Sequence, residues 1–229
     1  MSTTVITGAN RGIGLELARR CIGRGDKVFA GCRKPDEAHE LEALQPHSIL
    51  PLDVGDEASV LSFSKVVDEH VGLLINNAGT SITNLGFDRD EVGVMKAPVA
   101  LTLDLIRING LSAAMVTRSL SDQLESGSKV ANITSQIGSM VVGSNFNDLP
   151  YAASKAVMNM VTVQLASQLK ARGIAVVAFH PGWVRTDMGG SSADISVEES
   201  AQGILSTLDT FQLEQSGAFL KWDGSIHPW

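Results

Sequence analysis

Basic residues are in short supply in this sequence. Its 229 residues carry 18 lysines and arginines against 25 aspartates and glutamates, a formal net charge of -7. No basic stripe offsets that balance, which argues against a nucleic-acid partner, since a phosphate backbone is met by clustered Lys and Arg. Cysteine is equally sparse: Cys21 and Cys32 are the only two. They cannot build a disulfide framework and lack metal-ligand spacing, so free structural thiols and no metal site are expected. The start, Met1 to Val5, runs straight into a strand pattern without a basic n-region or apolar signal core, and no apolar run reads as long enough to span a bilayer. A cytoplasmic chain without membrane association is the expectation. Repeats, linkers and low-complexity tracts are lacking too, so a single domain over residues 1–229 suffices, long enough to bury a sizeable core. What is present, 44% hydrophobic residues, 19% charged residues and 22 glycines, describes a globular, loop-punctuated protein rather than a disordered one.

Taken in order, the chain alternates strand and helix signals. Thr3–Thr7 is a short β-branched strand; it runs into Gly8-Ala9-Asn10-Arg11-Gly12-Ile13-Gly14 and then a helical run from Leu15 to Arg24. The glycine spacing is G-x-x-x-G-x-G. Glycines permit close backbone approach and a helix N-terminus receives a pyrophosphate, so Gly8, Asn10, Arg11, Gly12, Ile13 and Gly14 are candidate cofactor contacts; a turn without a ligand is the plainer alternative. A second strand, residues 26–33, ends in Cys32 and Arg33. An acid there would accept from a ribose 2′-hydroxyl and repel a 2′-phosphate, whereas an arginine can hold the phosphate. With Arg11 near the same corner, NADPH is expected over NADH, unless both arginines are only solvated surface charges. A third strand, residues 48–54, brings Asp53 and Val54 to the adenine, and a helix should follow from about Glu57 to His70. The apolar Leu73-Leu74-Ile75 is a strand buried on both faces, leading into Asn76-Asn77-Ala78-Gly79, where small residues leave room for a cofactor and asparagines can tie strands together. Residues 80–98 give no clear reading. A helical pattern covers 99–124 and carries Asn109; strands at 129–134 and 175–180 deliver Ser135 and Pro181-Gly182, and a short last strand lies at 219–221. This alternation predicts an α/β fold, a single doubly wound, Rossmann-like parallel sheet with helices on both faces and ligands at the strand carboxyl ends.

The strongest chemical signal is Tyr151-Ala152-Ala153-Ser154-Lys155, opening a long helical run. At i and i+4 the phenol and the ammonium share a face, and the positive charge is expected to lower the tyrosine pKa from its usual value near 10, making a general acid or base usable near neutral pH. A surface Tyr-Lys pair would look the same if it stood alone.

It does not stand alone. The glycine loop after Thr7, Asn76-Asn77-Ala78-Gly79, Asn109, Ser135, Tyr151 with Lys155, and Pro181-Gly182 occur in the order and approximate spacing of the short-chain dehydrogenase/reductase family, which the chain resembles over essentially its whole length. The C-terminal third, from His180 to Gly190 and from Trp222 to Trp229, resembles the branch of C-factor proteins and sniffer-type carbonyl reductases. The resemblance implies that Tyr151 is the acid/base at a carbonyl or alcohol oxygen and that Ser135 holds that oxygen. It also implies that Lys155 bonds the nicotinamide ribose and that Asn109 holds a water relaying protons from Lys155. Asn77, Ala78, Gly79, Pro181, Gly182, Val184 and Thr186 are expected against the cofactor, Thr186 on the nicotinamide carboxamide. Ser135, Ile137, Met140, Val141, Phe146, Tyr151 and Trp183 are expected around the substrate, in a segment between Ser135 and Tyr151 that is longer than usual for the family. The expected activity is NADPH-dependent reduction of an apolar or aromatic ketone or aldehyde, a small-molecule substrate, by a homodimer or homotetramer. A C-factor-like signalling protein is the alternative, and a reductase module serving an acidic carrier suits the acidic composition less.

Overall fold

The computed structural model describes residues 2–229, the side chain of Arg89 excepted. Seven strands form one sheet: β1 (Thr3–Thr7), β2 (Lys27–Cys32), β3 (Ser48–Pro51), β4 (Leu73–Asn76), β5 (Lys129–Ile133), β6 (Ala175–His180) and β7 (Phe219–Lys221), in the order β3-β2-β1-β4-β5-β6-β7. Every neighbouring pair is parallel. Parallel strands need crossovers over a face of the sheet. These carry α1 (Gly12–Gly23), α2 (His39–Glu42), α3 (Glu57–Ser64), α4 (Val99–Leu105), α5 (Ser112–Ser119), α6 (Leu149–Leu169) and α7 (Val197–Thr210). The doubly wound α/β architecture expected from the strand-helix alternation is the one found.

Strand periodicity sorts the core into two layers. Ile6, Val177 and Phe179 point to one face, where α1 and α7 supply Leu17, Ile204 and Leu205. Val5, Val130 and Val176 point to the other, where α3, α5 and α6 supply Phe63, Val116 and Ala166. Each large apolar side chain so buried contributes roughly 1.5 to 3 kcal/mol. The sheet order reverses between β1 and β4, so crossovers leave in opposite directions and a crevice opens at the carboxyl ends of these strands.

Several element ends differ from the sequence reading. β3 stops at Pro51, which has no N–H to continue a ladder and is tolerated because β3 is the sheet edge. α3 stops at Ser64 rather than His70, unwinding so that Val67 and Val71 both reach the core. α4 and α5 are one continuous helical path joined by a π-helical turn, Ile106–Leu111. This path, Val99–Ser119, is 21 residues long and apolar enough, by length and composition, to cross a membrane, which corrects the reading that no run is long enough. Here its buried polar groups find partners within the protein: Asn109 at Thr80 and Ser154, Ser112 at Ile108 O, Thr117 at Asn76. Residues 80–98 contain two short 3-10 turns, Thr83–Leu85 and Arg89–Glu91. Ile82 and Val92 from this segment pack with Leu101 and Leu105 into a small separate core that reaches Tyr151.

Candidate active site

The crevice is lined from three sides. The first is the turn from β1 into α1, contributing Gly8, Arg11, Gly12, Ile13 and Gly14. Gly8 and Gly12 have φ of +66° and +54°, and a Cβ on Gly8 would stand 2.8 Å from Ala78 Cα; only glycine combines that backbone with that clearance. Arg11 at the N-cap of α1 makes no side-chain cap, and the first turn holds no acid. The donor groups of this helix N-terminus are therefore neither capped by a side chain nor opposed by an acid, which suits a phosphate. The second side comes from β2 and β3, with Cys32, Arg33, Asp53 and Val54. The third is the end of β4, where Asn77, Ala78 and Gly79 lie beside Thr80. Thr7 Oγ1 accepts from the N–H groups of Asn77 and Ala78, both at 3.0 Å, and Asn77 Nδ2 donates to the main-chain oxygens of Thr7 and Gly8. Asn76, one position earlier, donates to Asn132 Oδ1 at 2.9 Å. The two asparagines thus tie β4 to β1 and to β5.

Tyr151, the chain's only tyrosine, sits in the first turn of α6. Asp148 caps this helix, a carboxylate oxygen accepting from the Tyr151 N–H at 3.1 Å, and Pro150 lies in the first turn. Tyr151 and Lys155 both line the crevice. Two glycines let other segments reach α6 closely: a Cβ on Gly138 would stand 2.6 Å from the Lys155 carbonyl carbon, and one on Gly110 would stand 2.8 Å from Ser154 O. Lys155 is buried; its Nζ donates to Ile133 O at 2.9 Å and stands 5.7 Å from the centre of the Tyr151 ring. Burial lowers the Lys155 pKa to about 8. It pushes the Tyr151 phenol up to about 12, and Asp148 adds to the rise. This corrects the expected lowering: the ammonium lies over the ring and is bound to a carbonyl, so desolvation outweighs its charge. The phenol oxygen faces Met188 Sδ at 4.0 Å.

Asn109 is fully buried in the π-helical turn. Its Oδ1 accepts from Thr80 N at 2.8 Å, and its Nδ2 donates to Thr80 O at 2.9 Å and Ser154 Oγ at 3.1 Å. Its side chain thus ties the segment after Gly79 to α6. Ser135 follows β5, and its Oγ accepts from Ile137 N at 3.3 Å; the crevice wall beside it is made by Ile133 and Thr134. Pro181 and Thr186 line the crevice, Thr186 approaching Gly12 from above with its methyl 3.4 Å from where a Cβ would be. Asn10, Ser135, Gly182 and Val184 are not among its lining residues. Gly182, at φ +89°, instead packs under Ile195 and Trp222, and Val184 is buried in a bridge to Ile195. Arg11 lines the crevice, and its guanidinium pairs with Asp187 at 3.7 Å.

The expected substrate wall is the largest displacement. Met140 and Val141 are 81% and 68% exposed, and Ile137, Phe146 and Trp183 also lie off the crevice. Ser139 Oγ and Val141 N both donate to Trp229 O, which pins that loop to the last residues of the chain. Trp183 spends its indole N–H on Gly189 O at 2.8 Å. Thr80, Asn84, Leu85 and Met188 do line the crevice, with Met188 at the Tyr151 phenol. Thr80 and Met188 adjoin motif residues; Asn84 and Leu85 lie in the stretch without periodicity, where nothing in the sequence marks them. Leu52, Arg107 and Ile108 line the crevice together with Asp53 and Val54.

The chain belongs to the short-chain dehydrogenase/reductase family: the sequence profile described as short chain dehydrogenase matches residues 2–195. It is 35% identical to C-signal of Myxococcus xanthus over 161 residues, spanning 69% of this chain and 93% of that protein. Its fold matches carbonyl reductase from chicken fatty liver, solved with NADPH bound, with a TM-score of 0.89 and 30% identity over 100% and 99% of the two chains. It matches carbonyl reductase Sniffer of D. melanogaster with a TM-score of 0.91 and 27% identity over 100% of each chain. The protein is thus an oxidoreductase with a nicotinamide cofactor, similar to the C-signal and sniffer-type branch.

Proposed function

We propose that the protein reduces a ketone or aldehyde, with NADPH as cofactor and Tyr151 as the proton donor. The observation that carries this reading is the arrival of Tyr151 and Lys155, one helical turn apart, on the wall of the crevice that the capless α1 N-terminus closes from the other side. Bound there, NADPH supplies the hydride for the carbonyl carbon. The glycine loop holds its pyrophosphate with N–H groups, and Asp53 and Val54 border the adenine. Cys32 brings no negative charge to the end of β2, and Arg33 offers a guanidinium for a 2′-phosphate. Arg11 can join it only by leaving Asp187, and an exposed ion pair holds it there by about 0 to 1 kcal/mol. Lys155 bonds the ribose, Thr186 and Pro181 border the nicotinamide, and Ser135 orients the carbonyl oxygen. Tyr151 then gives that oxygen its proton while the Lys155 ammonium offsets the phenolate that forms. To receive it, the oxygen must displace the Met188 thioether from the phenol, which a flexible methionine permits. Leu85 and Met188 favour an apolar substrate body, and Thr80 and Asn84 leave two polar groups for its rim.

The test is oxidation of NADPH, beside NADH, against a panel of ketones, aldehydes and quinones, with Y151F as the companion. The native protein should turn over at least one carbonyl compound with NADPH favoured. Y151F should bind NADPH as the native protein does and lose roughly 100-fold or more in turnover. Near-normal turnover by Y151F would remove Tyr151 from the chemistry.

A further inference from the structure

One wall of the crevice owes nothing to the glycine, asparagine or tyrosine motifs. Arg107 and Ile108, in the π-helical turn, line it together with Asp53 and Val54. The Arg107 guanidinium donates from Nη1 to the main-chain oxygen of Gly55 and from Nη2 to Asp104 Oδ1 at 3.3 Å. Gly55 is buried, and its N–H goes to Asp53 Oδ1 at 2.9 Å; the Asp53 N–H goes in turn to Ser59 Oγ at 2.9 Å. Two of these tethers lie within the β3–α3 segment itself, whereas Arg107 reaches it from a different crossover. The junction is close: a Cβ on Gly55 would stand 2.9 Å from Arg107 Nη1, 3.2 Å from Ile108 Cγ1 and 3.3 Å from Asp53 Oδ1.

We propose that Arg107 is a positioning residue for the adenine of the cofactor: by fastening Gly55 to the π-helical turn it sets the gap between the Asp53–Val54 edge and Ile108. The proposal rests on the dinucleotide reading of the crevice given above. A planar guanidinium suits the task because its donors diverge at a fixed angle, one to the Gly55 carbonyl and one to Asp104, and a lysine ammonium cannot span both in that way. Its partners are a carbonyl and a carboxylate, so its work is to hold protein to protein. The charge for a 2′-phosphate stands elsewhere, at Arg33.

Binding of three fragments separates this role from others: 2′,5′-ADP and 5′-AMP, which both carry the adenine, and reduced nicotinamide mononucleotide, which does not. R107A should weaken both adenine fragments roughly tenfold, the scale of losing one charge-assisted hydrogen bond, and leave the nicotinamide fragment unchanged. With whole NADPH it should raise KM and leave kcat near native. G55A keeps the charge but places a methyl group against the guanidinium, and it should reproduce the loss; it also carries the test if R107A does not fold. Native affinity for the adenine fragments in both variants would overturn the proposal, as would an equal loss for all three fragments. A loss for 2′,5′-ADP alone would make Arg107 a phosphate ligand instead. A native protein that binds none of the fragments would instead remove the dinucleotide reading, and this proposal with it.

Discussion

Lys155 spends its burial on a tuned charge. It is 4% exposed, its ammonium donates to Ile133 O, and its pKa is drawn down to about 8. A lowered base carries its charge only below its pKa, so the ammonium is present below about pH 8 and lost as pH rises through that value. The phenol beside it, raised to about 12, keeps its proton throughout this range. Carbonyl reduction should therefore run on a plateau below about pH 8 and decline above it as the charge offsetting the forming phenolate disappears. K155M should lower the plateau by roughly 100-fold and abolish the inflection; pH-rate profiles of both proteins decide it, and an inflection near pH 8 surviving in K155M would belong to another group. The pairing of Tyr151 with Lys155 was legible in the sequence because i, i+4 spacing fixes a shared face. The sign of the tyrosine shift was not, since it depends on burial depth and on a carbonyl from β5 that no spacing reveals.

Gly110 does for the helices what Lys155 does for the site. The π-helical turn Ile106–Leu111 brings it against α6, where a Cβ would stand 2.8 Å from Ser154 O and from Val157 Cγ1. Two of these contacts are with an element that also carries Tyr151 and Lys155, so separation here would be felt at both. In G110A, overpacking of about 1 to 3 kcal/mol opposes the roughly 1 kcal/mol that alanine gains over glycine in a helix. A net loss of about 1 kcal/mol is expected in denaturant unfolding, together with a drop in kcat larger than the lost stability explains. Native stability and turnover in G110A would mean that α6 does not depend on this close approach. Elements with strong periodicity were placed correctly from sequence, α6 to within two residues at its start and β6 and β7 over their full ranges. The π turn left no mark, because residues 99–119 keep an apolar helical pattern through it. Residues 80–98 were unreadable for a different reason: they are held by Ile82 and Val92 packing on α4, a tertiary arrangement rather than a repeat. Asn84 and Leu85, which line the crevice, were missed with them.

Across the whole molecule, β6 ends in a buried histidine whose protonation opposes the fold. His180 is 8% exposed, its Nδ1 is without a partner among the described residues, and the His227 ring lies 5.7 Å away. Burial lowers its pKa to about 4, with His227 and Lys221 acting in the same direction and Asp223 against them. His227 belongs to the segment that returns over β7: its N–H bonds Phe219 O and its ring packs on Phe219, as does Trp229. In the unfolded chain His180 takes its proton near pH 6.5, in the folded one near pH 4, so between these values the unfolded state binds more protons. Stability from this residue is therefore complete above about pH 6.5 and is lost as pH falls towards 4, by up to about 3 kcal/mol. Carboxylates with lowered pKa values, such as Glu199 and Asp223, lose stability in the acid range as well, so the native curve alone cannot isolate the histidine. The difference between native protein and H180N can: denaturant unfolding from pH 7 to 4.5 should show the native protein losing stability faster than the variant, with the gap widening below pH 6.5. Parallel curves would place the acid sensitivity in the carboxylates and mean that His180 binds its proton equally in both states.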